Sequence, residues 1–255
     1  MKRRFCALFL CSIILSCIAV AREIEVERID NDKSLDLLNV PLGCKENGRL
    51  YYASGNRLIS VEDVGDTLSI SYSLSDSIKI DDFCFLGDNL LFRDDNALLC
   101  VNNSGSFVGF AFENDDFTFN EISDSTFFMI VPSENSVLEF SLRRKNAIRS
   151  LDTDEQPVTA GMFGNSIVLV GQHGIYITLG NTTELMHRHP WEIRAAAVTD
   201  MGIYFGTDQA LWRLVGEDRL EHVADGTIAR IYGAGNILYV IDGGGSLFKF
   251  TLKAE

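Results

Sequence analysis

The chain has 255 residues, 46% of them hydrophobic, which is enough apolar side chain to bury a sizeable core. It carries 36 acidic against 22 basic residues, a formal net charge of −14. This acidity argues against nucleic acid or an anionic membrane surface as the partner, and it is typical of a solvated acidic surface.

The first 21 residues have the pattern of a secretory signal peptide. Residues 2–4 are basic, residues 5–18 form an uncharged apolar run, and Ala19 and Ala21 give the small-x-small pattern of a cleavage site. The run is short for a membrane-spanning helix, and no second such run follows. We therefore expect residues 1–21 to be removed, leaving one exported domain at residues 22–255, periplasmic or extracellular, with no integral membrane segment. Lipid attachment at Cys17 is the alternative, because the preceding residues loosely resemble a lipobox.

Six cysteines would suggest a disulfide framework, but three of them lie within the predicted signal peptide. The other three are Cys44, Cys84 and Cys100. An odd number of cysteines in a large chain does not indicate a set of structural disulfides. Cys44 and Cys84 occupy equivalent places in two sequence repeats, where later repeats carry Gly161 and Ala197. We expect small buried side chains at this place and no disulfide.

One pattern recurs six times: a turn, a short apolar strand, a tight turn and a second short strand. The clearest copy is GNSIVLVGQHGIYIT at residues 164–178. The first apolar residues of the six copies are Leu50, Leu90, Phe127, Ile167, Ile203 and Ile237. Their spacing of 34 to 40 residues indicates a solenoid, a propeller or an array. Short strands between Gly, Asn and Asp turns predict β repeats, and the absence of a sustained helical stripe excludes helical ones.

Each unit can be divided into four strands, A to D. The fifth unit is the clearest, with strands at residues 192–199, 202–207, 210–215 and 219–223. Strand A is placed at residues 37–42 in the first unit and at residues 77–86 in the second. The sixth unit ends with its third strand at residues 246–252, whereas residues 22–29 form an alternating strand with no hairpin partner. Pairing this N-terminal strand with the last unit would complete it and close a ring.

These repeats resemble those of β-propellers, and residues 202–214, GIYFGTDQALWRL, resemble the short blade of sensor-regulator propellers from bacterial envelopes. The Gly-His and Trp-Asp dipeptides that are typical of WD-type blades are absent from the sequence. The resemblance implies an all-β, six-bladed β-propeller with four-stranded antiparallel blades, closed by the N-terminal strand completing the last blade. It also implies that the protein binds a partner or ligand at one face of the ring, but it does not identify the binding residues.

In a propeller the B–C and D–A loops emerge on one face, and the A–B and C–D loops emerge on the other. The first face collects most of the acidic loop residues, whereas the second carries the basic run at residues 143–145. Loops on a rigid ring are where binding residues usually lie, so we expect the first face to contact a protein or a small polar ligand. The candidate contact residues are Asp94, Asp95, Gln172, His173, His187, His189, Trp191, Asp208 and Asp242.

The histidines are the sharpest local feature of this face. His173 lies in the B–C turn of the fourth blade, and His187 and His189 lie in the connection that follows that blade. With Asp154 or Glu155 beside them, these side chains would suit zinc or another transition metal. Ordinary loop histidines are the alternative, and we assign no metal or other cofactor on this pattern.

The innermost strands carry charged residues that could line a central channel. They are Lys79, Asp81, Asp82, Glu121, Arg194 and Arg230. Resemblance to six-bladed lactonase-type propellers implies a divalent metal held in the channel by carboxylates and asparagines. The analogues here are Asn39, Asp82, Asn120 and Glu121. Charged groups at a wet channel mouth are the other interpretation, and no Ser-His-Asp order, nucleophile elbow or phosphate loop is present.

The sequence thus favours an exported, non-catalytic binding or scaffolding propeller that contacts its partner through the acidic face. We expect it to act as a monomer or as part of an envelope complex. The alternative is a metal-dependent, lactonase-like hydrolase with its site in the central channel.

Overall fold

A computed structural model describes residues 24–29, 35–69, 79–95, 97–102, 107–111, 117–180, 182–216 and 219–253. These residues form six separate four-stranded antiparallel sheets. The innermost strands of neighbouring sheets contact one another in sequence, and the innermost strand of the last sheet contacts that of the first. The architecture is therefore a six-bladed β-propeller, which confirms the predicted fold.

The strands of each blade follow one another along the chain, from the channel outward. Blade one contains β2 (Leu42–Cys44), β3 (Leu50–Ser54), β4 (Arg57–Ser60) and β5 (Thr67–Ser69). Blade two contains β6 (Asp82–Leu86), β7 (Asn89–Asp94), β8 (Ala97–Val101) and β9 (Phe107–Ala111). Blade three contains β10 (Thr118–Ser123), β11 (Thr126–Val131), β12 (Ser136–Ser141) and β13 (Asn146–Asp152). A 3-10 helix at Pro132–Glu134 separates β11 from β12.

The remaining blades repeat this order until the last. Blade four contains β14 (Pro157–Phe163), β15 (Ser166–Gly171), β16 (Gly174–Leu179) and β17 (Thr182–Arg188). Blade five contains β18 (Ala195–Thr199), β19 (Gly202–Gly206), β20 (Ala210–Val215) and β21 (Arg219–Asp225). Blade six contains β22 (Ile228–Ala234), β23 (Ile237–Asp242) and β24 (Leu247–Leu252), and its outer strand is β1 (Ile24–Ile29).

Burial explains why the second strand of each unit reads as an unbroken apolar run. Every residue of β19 is buried, and so is every residue of β11 and β15 after the first. Such strands lie in the middle of a blade and are covered by a neighbouring blade on both faces. Outer strands such as β17 are largely exposed. The core consequently consists of six apolar clusters, one at each contact between adjacent blades.

Close approach of neighbouring blades requires small residues at certain positions of the strands. A Cβ atom at Gly206 would lie 2.3 Å from the Cβ of Ile228 in the next blade, and one at Gly161 would lie 2.6 Å from the Cβ of Val198. Both distances are shorter than van der Waals contact. Cys44, at the place equivalent to Gly161, and Cys84 are free and partly buried, and Cys100 is free and buried. Among the described residues, none of these three cysteines is bonded to another.

The ring closes through the N-terminal strand. β1 pairs antiparallel with β24 over six residues, from Ile24 opposite Leu252 to Ile29 opposite Leu247. Ile24 packs against the cluster between blades five and six, and Ile29 packs against the cluster between blades six and one. The strand therefore contributes to the apolar contacts on both sides of the last blade, and its pairing with β24 confirms the predicted ring closure. The predicted alternation of buried and exposed residues is not found, because Val26 is 54% exposed.

The predicted strand A of blade one, residues 37–42, is wrong. The chain turns there instead, because the main-chain oxygen of Asp36 accepts hydrogen bonds from the amides of Asn39 and Val40 at 3.1 Å each. The Asp36 carboxylate also accepts from the Leu38 amide at 3.2 Å. Leu37 is nevertheless 1% exposed, so the apolar pattern reflected a buried turn, and the strand begins only at Leu42.

The other differences are at strand ends. Strand A of blade two begins at Asp82, whereas the prediction began it at residue 77, and residues 70–78 lie outside the described residues. Strand A of blade five begins at Ala195, three residues later than predicted. Residues 1–23, with the predicted signal peptide and its cleavage site, also lie outside the described residues.

Deleting residues 22–29 should destabilise the whole ring. The deletion removes the ladder to β24, whose hydrogen bonds each contribute roughly 0.5–1.5 kcal/mol, and uncovers Phe250 and Leu252. Against a total stability of about 5–15 kcal/mol, we expect a sharply lower melting temperature or aggregation. Replacing Glu25 and Glu27 by Gln, two exposed residues of the same strand, is the matched control. Equal melting temperatures for the deletion and the control, measured by circular dichroism, would contradict the closure.

Candidate functional site

Main-chain hydrogen bonds show which loops share a face. The Gln172 amide in the B–C turn of blade four donates to the Gln156 oxygen in the connection from blade three, at 3.1 Å. In blade six the Gly243 amide donates to the Thr227 oxygen at 2.8 Å, again joining a B–C turn to the preceding D–A connection. B–C turns and D–A connections therefore form one surface, which we call the loop face.

The loop face is strongly acidic. Its described acidic residues are Asp36, Asp81, Asp94, Asp95, Glu134, Asp152, Asp154, Glu155, Glu192, Asp208, Asp225 and Asp242. Its described basic residues are Lys79, Arg188 and Arg194. The A–B and C–D loops on the opposite face carry the exposed Arg143, Arg144 and Lys145 beside acidic residues such as Glu46, Asp63 and Asp124, so that face is mixed in charge. The two faces differ in charge, and a basic ligand would be attracted to the loop face.

Several predicted contact residues on this face have local structural roles. The Asp242 Oδ1 atom accepts hydrogen bonds from the amides of Gly244 at 2.9 Å and Ser246 at 2.8 Å. Asp95 adopts a left-handed conformation with φ 58°, and its amide donates to Asp81 Oδ2 at 3.0 Å. The carboxylates of Asp242 and Asp81 therefore shape their turns, as Asp often does. Asp94 is partly buried and Asp208 is exposed.

Gln172 and His173 also serve the loop structure. The Gln172 side chain donates to the Gln156 side chain at 3.1 Å. The His173 amide donates to Glu155 at 2.7 Å, and its main-chain oxygen accepts from the His189 amide at 2.7 Å. The other Glu155 oxygen accepts from the Tyr176 hydroxyl at 2.7 Å. The main chain of His173, rather than its imidazole, therefore positions His189.

An aromatic cluster is the most distinctive feature of the loop face. It consists of His187 near the end of β17, His189 and Trp191 in the connection that follows, and Trp212 and His222 in β20 and β21. His187 therefore lies in a strand and not in the connection where the sequence analysis placed it. The Trp191 and Trp212 rings stack 6.4 Å apart at 16°, and the His189 ring centre lies 5.3 Å and 5.4 Å from theirs. His222 meets Trp212 edge-on at 5.2 Å. The structure thus assembles three predicted residues with two that the sequence reasoning missed.

Polar atoms within the aromatic cluster are poorly satisfied. His189 is 3% exposed, and its Nε2 atom is buried with no hydrogen-bond partner among the described residues. Its Nδ1 atom makes a long hydrogen bond of 3.4 Å with His187 Nε2, whose donor depends on the tautomers of the two rings. The Trp212 Nε1 atom is also buried with no partner in the part of the chain that the structure describes. Burial lowers the pKa of both His187 and His189, and the neighbouring His187 and His173 lower the pKa of His189 further.

A second candidate site is the central channel, a cavity of about 730 Å³ lined by the inner strands of all six blades. Burial raises the pKa of Asp82 in this channel to about 7, although Arg93 and Arg230 oppose the shift. The Arg230 guanidinium donates to the main-chain oxygens of Val40 at 2.6 Å and Leu37 at 3.1 Å and lies 5.3 Å from the Tyr232 ring centre. The volume is that of a small-molecule site.

The carboxylate and asparagine set predicted for a metal is not assembled. Asn39 donates to Asp36 at 2.6 Å, and Asn120 donates to Thr159 at 2.5 Å and to the Ala160 oxygen at 3.0 Å, so both amides serve the fold. A different group occurs near the A–B loops. Oxygen atoms of Glu46, Glu121 and Asp124 lie within 4.8 Å of one another, and burial raises the pKa of Glu121.

Comparison with known proteins supports the fold and no more. No protein-family model and no curated protein matches this chain. Among solved structures, virginiamycin B lyase from Staphylococcus aureus is 10% identical with a TM-score of 0.61, covering 90% of this chain and 100% of that one. The β-propeller domain of Cps50 (Swd1) from Myceliophteria thermophila is 11% identical, with a TM-score of 0.55 and coverages of 84% and 83%. BamB from Moraxella catarrhalis is 10% identical, with a TM-score of 0.50 and the same coverages.

Asp82→Asn should stabilise the protein at alkaline pH. The folded-state pKa of Asp82 is raised from 3.8 to about 7, so folding favours the protonated form and this stabilisation disappears as pH rises through 7. The neutral amide avoids that cost. We expect the variant to exceed the natural protein by at most about 4 kcal/mol at pH 8 and to lose the advantage towards pH 4. Urea unfolding at both pH values measures this, and an advantage independent of pH would contradict it.

Proposed function

We propose that the protein is a non-catalytic binding or scaffolding module that contacts a protein partner through its loop face. The observation that carries the proposal is Trp191, a large aromatic side chain that is 41% exposed on this acidic surface. Trp191 stacks on Trp212 and packs beside His189, so its ring is held in place before any partner binds. Tryptophan is enriched among the residues that dominate the free energy of protein association.

The scaffold around Trp191 favours binding without rearrangement. Main-chain bonds at both ends of the connection hold it, because the His189 amide donates to His173 and the Ile193 amide donates to Gln172, each at 2.7 Å. Ordering costs on binding are therefore small. The surrounding carboxylates favour a basic partner surface and would speed its association at low ionic strength.

Replacing Trp191 by Ala should weaken partner capture by tenfold or more, the effect expected for an anchor residue. The double variant with Asp94→Asn and Asp208→Asn should weaken partner capture by a smaller factor than Trp191→Ala does. It should also make capture less dependent on salt concentration. The matched control is Arg143→Ser with Arg144→Ser, on the opposite face, which should leave capture unchanged. The measurement is affinity capture from the native source followed by titration of the recovered partner. Equal losses with the control would show that the loop face is not the binding surface.

We also propose that the protein is exported after removal of residues 1–21, so that the mature domain comprises residues 22–255. The basic, apolar and small-residue pattern of the first 21 residues supports this. Within the residues that the structure describes, no helix is long and apolar enough to cross a membrane. Intact-mass measurement of the native protein should give a chain beginning at Arg22. A mass that includes lipid on Cys17 would support anchoring instead, and a retained leader would contradict export by cleavage.

The alternative function is a metal-dependent enzyme that uses the central channel. It is favoured by the channel volume and by the carboxylates of Glu46, Glu121 and Asp124. One of the structural neighbours is a lyase, so this fold is compatible with catalysis. Our proposal predicts no tightly bound metal in elemental analysis of the purified protein. Near-stoichiometric metal that is lost in Glu121→Gln and kept in Glu139→Gln, a control on β12, would favour the enzyme.

A further inference from the structure

We propose that the central channel binds a small organic anion, a single carboxylate on an apolar body, whose charged group lies beside Arg194 and Arg230 at the loop-face mouth. The site is separate from the aromatic cluster and does not depend on the proposed protein partner. It requires no metal ion.

The charged residues of the channel are separated along its length. Each inner strand begins at the loop face, because it follows a D–A connection, and ends at an A–B loop on the opposite face. Arg194 lies directly before β18 and Arg230 is the third residue of β22, so both line the channel near the loop face. The lining carboxylates near the opposite face are those of Glu46, Glu121 and Asp200.

The length of the channel keeps these two groups of charges apart. Arg194 and Asp200 lie on either side of β18, and six steps of about 3.3 Å per residue separate their main chains by roughly 20 Å. At physiological ionic strength, interactions between charges in water are screened over about 8 Å. The carboxylates at the far end of a water-filled channel therefore do little to neutralise the two arginines.

The Arg230 guanidinium is fixed in position, but its charge is not neutralised by a carboxylate in contact with it. Its Nη1 atom donates to the main-chain oxygens of Val40 at 2.6 Å and Leu37 at 3.1 Å, and the group lies 5.3 Å from the ring centre of Tyr232. Arg230 is partly buried, and it forms no ion pair with any residue that the structure describes. Buried charges are normally paired, so this place favours an anionic ligand.

Arg194 gives the same mouth a second positive charge. It occupies the place in blade five that Arg230 occupies in blade six. Each of them lies four residues before the residue that pairs with the first apolar residue of the next strand, namely Val198 with Ile203 and Ala234 with Ile237. The ion pair of Arg194 with Glu192 is long, at 3.7 Å, and both side chains are about half exposed. A carboxylate in the mouth could compete for this guanidinium.

Asp82, the first residue of β6, lines the same mouth and makes the site sensitive to pH. Burial raises the pKa of Asp82 to about 7, although the Phe83 amide, Arg93 and Arg230 lower it. Below pH 7 the neutral carboxyl can donate a hydrogen bond to a ligand carboxylate, whereas above pH 7 its negative charge repels one. The other titratable groups around Asp82 are Asp81, Cys84 and Tyr232, and Cys44 and Glu121 on the neighbouring inner strands lie nearer the opposite face.

The rest of the channel favours an apolar body on the ligand. Much of the wall beyond the mouth is made of small apolar residues, namely Ala160, Gly161, Ala196, Ala197 and Gly233. The volume of about 730 Å³ is in the range for small molecules, whose sites combine apolar walls with a few polar groups. The acidic loops around the mouth disfavour multiply charged anions, so one carboxylate is the favoured group.

Calorimetric titration with sodium 2-naphthoate tests the site, and 2-naphthamide, which has a similar shape without the charge, is the matched probe. At pH 6 we expect saturable binding of one naphthoate and at least tenfold weaker binding of the amide. Arg230→Gln should weaken naphthoate binding at least tenfold, because it removes a charge-assisted contact. Arg143→Gln on the opposite face and Trp191→Ala in the aromatic cluster should each stay within twofold.

The pH dependence of naphthoate binding tests the role of Asp82. Naphthoate is ionised at both pH 6 and pH 8. If only the protein with protonated Asp82 binds it, a pKa of about 7 makes the affinity fall about tenfold between these pH values. Asp82→Asn should remove this fall, because the amide stays neutral. A fall that persists in Asp82→Asn would contradict the role of Asp82.

Three results would overturn the proposal: no saturable binding of naphthoate, equal affinity for naphthoate and naphthamide, or equal weakening in Arg230→Gln and Arg143→Gln. Arg194→Gln provides a second test, in case Arg230→Gln alters the fold. The Arg194 side chain is 47% exposed, so its loss should leave the melting temperature without ligand unchanged. It should still weaken naphthoate binding threefold or more, and no weakening would contradict a site at this mouth.

Discussion

Closure of the ring by β1 is the constraint on which the rest of the structure depends. Each blade buries its apolar side chains only against its two neighbours, so an open array would leave two faces uncovered. A side-chain hydrogen bond and an ion pair between blades six and one stabilise the closed ring. The Tyr239 hydroxyl donates to the Gly48 oxygen at 2.8 Å, and Lys249 pairs with Glu62 at 2.7 Å. These contacts join residues 191 and 187 positions apart. They make the first and last blades mutually dependent.

The sequence predicted the ring because repeated burial leaves a repeated pattern. Strands such as β15 and β19 are covered on both faces in every blade, so their apolar runs recur with the blade period. The same reasoning failed at Leu37, which is buried in a turn. Periodicity records burial and does not report main-chain conformation. The hydrogen bonds that Asp36 makes with the following residues decide the conformation there.

The candidate site could be predicted only in part, for a related reason. Loop geometry placed His189 and Trp191 on the correct face, because it depends only on strand order. The stacking of Trp191 on Trp212 could not be foreseen, since it depends on how the connection after blade four folds over β20. For the same reason, the sequence could not show that Asn39 and Asn120 are occupied by local hydrogen bonds.

A ligand gains most by binding where polar atoms of the folded protein lack a hydrogen bond. Carboxylates such as Asp242, Asp81 and Glu155 already accept hydrogen bonds from the main chain of their own turns, so a ligand would have to compete with these bonds. The aromatic cluster differs, because His189 Nε2 and Trp212 Nε1 are buried and have no hydrogen-bond partner among the residues that the structure describes. Burying these atoms without a hydrogen bond already costs the folded protein free energy. A ligand that formed hydrogen bonds with them would remove that cost. The acidic residues therefore set the charge of the loop face, whereas buried polar atoms without a partner among the described residues lie at the junction of blades four and five.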